Sequence, residues 1–144
     1  MAGVDELDEV LERFKLAANE LLKGNPKPVQ NMFSHREDVS LANPFGPPVR
    51  GWEQVAETIE RAASQFRDGE YGGIETIEKH VTPELAYVVL LEPQKAKVGG
   101  SEDVTPFTLR VTMIFRPEEG NWKIVHRHAD PITTEQPAES VIQE

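Results

Sequence analysis

The chain has 144 residues, long enough to bury a core of its own without disulfides or a structural metal. It contains no cysteine, which excludes a disulfide framework, zinc–thiolate sites and thiol chemistry. With 25 acidic residues against 15 basic ones the net charge is −10; phosphate backbones are repelled unless the basic residues cluster. They do not: Arg110, Arg116, Lys123 and Arg127 stand singly among apolar residues, so nucleic acid is not an expected partner.

The opening residues Met1 to Glu6 are acidic, no apolar run follows, and no stretch is long enough to span a membrane; a cytoplasmic location is the expectation. Leu7, Val10, Leu11, Phe14, Ala18, Leu21 and Leu22 then recur at helical spacing, with polar residues on the other face, up to the stop Gly24-Asn25-Pro26. A turn of helix through Val29, Met32 and Phe33 is expected next. Asp38 to Ala42 reads as a short strand, closed by Asn43-Pro44 and a stiff loop through Pro48. A second long helix opens at Gly51-Trp52, carries Val55, Ala56, Ile59, Ala62, Ala63 and Phe66 on one face, and ends at Asp68-Gly69.

From there the pattern has period two. Ile74–Val81, Leu85–Glu92, Phe107–Arg116 and Trp122–His128 are the expected strands, with hairpin signals at Thr82-Pro83-Glu84 and Pro117 to Asn121. Beyond Pro131 the chain is polar and aperiodic, so a single domain over 1–131 and a frayed tail over 132–144 are expected. Helices followed by an antiparallel run of strands make an α+β fold, in which the amphipathic helices cover one face of a curved sheet and leave a hollow.

Strict alternation on the last strand places Trp122, Ile124, His126 and His128 on one face and Lys123, Val125, Arg127 and Ala129 on the other. The first set begins with large apolar groups, so both histidines are expected to point inward. There they are either satisfied core histidines or acid–base groups. Asp130, nominally on the same face, either orients an imidazole or caps the strand. Two histidines and a carboxylate are also metal donors, but neighbouring positions of one strand rarely supply a full ligand set; no metal is expected.

Other residues carry two readings each. Arg50 and Trp52 flank the stiff loop, where they either hold an anion and stack a ring or serve as a solvated charge and a core anchor. Asn43 either bonds a ligand or shapes the turn before Pro44. Tyr87 either supplies an oxyanion donor from a buried strand or reaches the surface. Met113, on the apolar face of the third long strand, is a further candidate ligand contact.

Two strings sharpen the reading. Asn43-Pro44-Phe45-Gly46-Pro47-Pro48-Val49-Arg50-Gly51-Trp52 resembles the loop leading into a later helix of the SnoaL-like, nuclear-transport-factor-2-like superfamily, and Asn121 to Asp130 is similar to that superfamily's closing strand. The resemblance, from the first helix to Asp130, implies a cone of curved antiparallel sheet wrapped around N-terminal helices. It also implies a pocket for a small, largely apolar organic molecule and a homodimer formed through the sheet, whose outer face carries Thr108, Arg110, Thr112 and Ile114. A catalytic member would run isomerisation, cyclisation or hydration by His126 or His128 without a cofactor. A non-catalytic association module is the alternative. The aspartate–tyrosine–acid trio of ketosteroid isomerases and the Asp-Arg-Asp set of limonene-epoxide-hydrolase-like members have no counterparts here; the only tyrosines are Tyr71, in a Gly-rich turn, and Tyr87.

Overall fold

The computed structural model describes residues 3–143. Helix α1 (Val4–Leu21) buries Leu7, Val10, Leu11, Phe14, Ala17 and Ala18, the stripe its spacing predicts. Its start is tied down by Trp122, whose indole Nε1 donates to the Gly3 carbonyl at 3.0 Å. Gly24, at φ +95°, turns the chain out of the helix. The short α2 (Lys27–Met32) has proline in its first turn, where no helical donor is lost, and buries Val29. Strands β1 (Ser40–Ala42) and β2 (Val49–Arg50) pair antiparallel across the stiff loop. Helix α3 (Trp52–Ala63) follows Gly51, which holds φ +91°.

Four long strands follow a shorter one: β3 (Phe66–Tyr71), β4 (Glu75–Val81), β5 (Ala86–Val98), β6 (Thr105–Glu118) and β7 (Asn121–Asp130). The seven-stranded sheet has the order β2-β1-β7-β6-β5-β3, with β4 also on β5. Its long strands are antiparallel, whereas β1 runs parallel to β7, Ser40 opposite His126. The helices lie against one face, and Ala86, Val88, Leu90, Leu109, Val111, Met113 and Phe115 of that face form the core with α1 and α3.

Two boundaries differ from expectation. Phe66 is not the last apolar residue of α3 but the first of β3, opposite Val98. Its spacing from Ala62 and Ala63 suits a helix, yet pairing with β5 wins. A register shift in β3 spans Asp68-Gly69, where Asp68 takes φ +52°. Here β3 crosses the end of α1 so closely that a Cβ on Gly69 would lie 2.6 Å from Leu22 Cβ and 2.7 Å from its carbonyl oxygen. Strand β5, for its part, runs past Glu92 to Val98. One edge of β5 is shared, with β4 pairing over residues 86–91 and β3 over residues 94–98. Pro93 sits where the partner changes, so its missing N–H costs no ladder bond, and its carbonyl accepts from Gly72 N at 2.8 Å.

Residues 132–143 are exposed and include one turn of 3-10 helix, Ala138–Val141. Among the described residues, no helix is long and apolar enough to cross a membrane.

Candidate functional site

The face that β7 turns inward changes partway along it. Phe115 of β6 lies opposite Ile124, but the next β6 residue, Ile114, lies opposite His126, so Val125 is an extra residue. This bulge shifts the alternation by one. Trp122 and Ile124 are buried as expected, and after the bulge Arg127 and Ala129, opposite Met113 and Val111, take the inward positions. His126 and His128 are therefore on the outer face. The expectation that both imidazoles point into the interior is corrected by this single inserted residue.

What faces inward meets a cavity of about 450 Å³ between α1, α3 and the sheet. That volume suits a small organic ligand. Its walls are mainly apolar, from Phe14, Ala18, Leu41, Ile59 and Leu109. Three rings stand together among its lining residues: Phe66 stacks on Phe107 with centroids 6.0 Å apart, and Phe45, half exposed, leans on Phe66 at 5.8 Å. The stiff loop brings in Asn43, Pro44 and Phe45, so Asn43 lies at the cavity as expected, with its Oδ1 also accepting from Phe45 N at 3.1 Å.

Tyr71, Glu92 and Arg127 form a polar cluster in the wall, which also includes Asn43, Gln94 and Thr105. Arg127 grips Glu92 bidentately, Nη2 to Oε1 at 2.7 Å and Nη1 to Oε2 at 2.9 Å, and Glu92 is wholly buried. The guanidinium also lies 5.2 Å above the Phe14 ring and 3.6 Å from Met113 Sδ. Burial works against the charge on Arg127, but the Glu92 carboxylate more than offsets it and the guanidinium stays protonated. Tyr71 meets Phe14 edge-on, with centroids 6.3 Å apart. Its hydroxyl oxygen is buried, with the Glu92 carboxylate beside it as acceptor but no hydrogen bond of ordinary geometry closed between them. Burial first, and then the Glu92 charge, push this phenol far above its usual range, so it remains a donor.

Tyr71 is thus the last residue of β3, not part of a turn; Asn19 of α1 fixes it by accepting from its backbone N–H at 3.0 Å. Glu92 did leave a signal in the sequence. It falls in phase with Ala86, Val88 and Leu90, and a carboxylate at an inward position of an apolar strand demands a buried partner. Arg127 left none, because the bulge that turns it inward has no mark of its own in the sequence.

The other expected ligand contacts lie elsewhere. Met113 is fully buried beneath Arg127 rather than on the cavity wall. Trp52 stacks on His35 at the start of α3, with centroids 3.8 Å apart, and Arg50 is exposed on β2. Tyr87 alternates outward on β5 and stacks on His80 at 5.5 Å. Its hydroxyl belongs to the surface reading.

On the outer face, Asp130 accepts from Arg110 Nε at 2.7 Å and lies 3.0 Å from His128 Nε2. Burial raises the Asp130 carboxyl, but the hydrogen bond and charge of Arg110 outweigh it, and the group is held below its usual range. His126 Nδ1 is 2.7 Å from Ser40 Oγ on β1. Partial burial pushes this imidazole down, the adjacent His128 pushes the same way, and Ser40 opposes both.

Comparison with known proteins places this architecture. The family model described as a SnoaL-like domain matches residues 10–133. A nuclear transport factor 2 (NTF2-like) superfamily protein from Salmonella enterica serovar Typhimurium superposes with a TM-score of 0.75 at 19% identity, covering 94% of each chain. A ketosteroid isomerase-like protein from Erwinia carotovora atroseptica gives 0.73 at 17% identity, over 90% of this chain and 96% of that one. A protein with a cystatin-like fold from Caulobacter vibrioides gives 0.67 at 20% identity, over 94% and 92%. Such identities establish the shared fold alone. Among curated proteins, none matches the chain.

Proposed function

The chain belongs to the SnoaL-like domain family, and from that premise we propose that it binds a small, largely apolar organic molecule in the cavity between its helices and sheet. The observation that carries this reading is a mainly apolar hollow of about 450 Å³ with one polar cluster, Tyr71, Glu92 and Arg127, in its wall. Apolar walls supply affinity by burying ligand surface, and a few placed polar groups set orientation. Proton transfer by His126, His128 and Asp130 is not part of the proposal, since these side chains lie across the sheet from the cavity. Nor does Glu92 act as a free base, because both its oxygens are engaged by Arg127.

Titration with Nile red, a neutral apolar dye, tests the reading. Saturable binding at one site per chain is expected, and Ala18→Phe, which fills the cavity from α1, should abolish it while the circular dichroism stays native. Binding that ignores Ala18→Phe would place the dye elsewhere and sink the proposal.

A homodimer through the sheet has its own supporting observation. The helices leave the outer face of β5 and β6 bare, and it carries Tyr87, Val89, Leu91, Thr112 and Ile114, an apolar strip on an otherwise charged protein. Light scattering should give twice the chain mass, and Ile114→Arg should halve it. A monomer at high concentration contradicts this arrangement.

A further inference from the structure

We infer that the segment after Pro131 is a strap that closes over the mouth of the cavity when a ligand fills it, with Val141 and Ile142 as the side chains that seat there. The inference rests on the binding reading above and adds how that site retains its occupant.

The exposed members of the cavity lining, Phe45, Thr105, Pro106 and Pro131, mark its mouth and belong to three stretches of chain. Two of these are held in place. The loop 43–48 is stiffened by Pro44, Pro47 and Pro48 and by the bond from Phe45 N to Asn43 Oδ1 at 3.1 Å. The loop before Thr105 is pinned by Arg67, which donates to the Gly99 carbonyl at 2.8 Å and to the Ser101 carbonyl at 2.6 Å. The third stretch leaves the wall at Pro131 and is tied back once, by Ile132 N donating to Asp130 Oδ1 at 3.0 Å. Beyond that, the bonds among its described residues are local: Gln136 to Thr134, Ser140 to Pro137 and Ile142 to Glu139. Swinging the stretch about Thr133 breaks none of them, so movement here is cheap where the other two sides of the mouth are rigid.

The surfaces match in character and in reach. Phe45 stands half exposed on the rim, and Val104 and Ile132, which adjoin the lining residues Thr105 and Pro131, are exposed beside it. The strap is otherwise polar or built of small residues, yet it carries Val141 and Ile142 side by side, 83% and 66% exposed. Two apolar surfaces that both face water gain by meeting. The ten residues from Ile132 to Val141 reach about 33 Å when extended, against a cavity about 10 Å across. A ligand decides when the two meet. Over an empty hollow the strap's side chains would touch the rim alone. A ligand that fills the hollow adds an apolar floor, and the extra burial offsets the entropy lost in ordering the strap.

The rate at which Nile red leaves the loaded 144-residue chain after rapid dilution tests this. Val141→Ser combined with Ile142→Ser should speed release about tenfold, the factor that about 60 Å² of apolar surface kept from water supplies. Leu16→Ser removes a similarly exposed apolar side chain from α1 and should leave the rate unchanged. The chain has no cysteine, so a nitroxide attached at Ser140→Cys is the sole label. It should broaden the amide resonances of Phe45, Gly46 and Val104 with dye bound and not without it. Release that the double variant leaves unchanged, or that Leu16→Ser speeds equally, would overturn the strap while leaving the cavity reading intact. A nitroxide effect that is absent, or the same with and without dye, would do the same. A wild-type chain that binds no dye would overturn both.

Discussion

Strands β5, β6 and β7 carry an arginine–carboxylate pair on each face of the same sheet neighbourhood, and the two pairs are opposites in physical character. On the inner face Arg127 meets Glu92, whose side chain is wholly buried, under the Phe14 ring. On the outer face Arg110 meets Asp130 at the same 2.7 Å, with its own side chain half exposed. Equal distances conceal unequal worth. Water screens the outer pair and solvates either partner if the other is lost, whereas the inner partners depend wholly on each other. Distance alone therefore says little about which of the two matters to the fold.

The largest expected effect comes from breaking the inner pair. Arg127→Met leaves Glu92 as a buried, unpaired carboxylate and should cost about 3–5 kcal/mol in urea denaturation, whereas adding Glu92→Leu should recover most of that loss. If the single variant is nearly as stable as the wild type, the contrast between the faces collapses. A smaller effect is expected from pH on the outer face. The folded His126 imidazole binds its proton less readily than the usual 6.5, so below that value the unfolded chain takes up more protons. Its contribution is intact above about pH 6.5 and is lost as pH falls from there toward the folded value. Denaturation midpoints between about pH 7.5 and 5.5 should decline in the wild type and decline less in His126→Gln. The carboxylates held low, Asp38, Asp68, Glu118 and Asp130, lose their contributions only at more acid pH, outside that window.

Breaking the outer ion pair should matter less. Arg110→Ala is expected to cost under about 1 kcal/mol by the same denaturation measurement. The smallest effect sharpens the comparison most: His128→Ala should leave Nile red affinity unchanged, because the sheet separates this side chain from the cavity. A large loss of binding with native circular dichroism would restore the outer histidines to a functional role.

Much of the architecture was legible from residues alone. The apolar stripe from Leu7 to Leu22 and the alternation Leu109, Val111, Met113, Phe115 each mark a buried face by their period, and the structure buries them. These readings succeeded because local geometry sets the period. Those that failed sit where a non-local contact overrides it. Phe66 left α3 for a place beside Val98, and β5 continued through Pro93 because its neighbour changes from β4 to β3 at that point.

The site follows the same division. Asn43 was readable because its loop is built from prolines and glycine whose backbone preferences are intrinsic, and Glu92 was readable in principle from its phase. The inward turn of Arg127 and the outward turn of His126 and His128 were not. They depend on Val125 being skipped in the ladder to β6, and a bulge arises from how two strands accommodate each other's twist, not from the residues of one strand. By itself the sequence determined the α+β class, the helices and the apolar faces, because side-chain periodicity and turn chemistry act over a few residues. Tertiary structure alone decided which polar groups share the cavity, since a shift of one residue in strand register exchanges the two faces of everything beyond it.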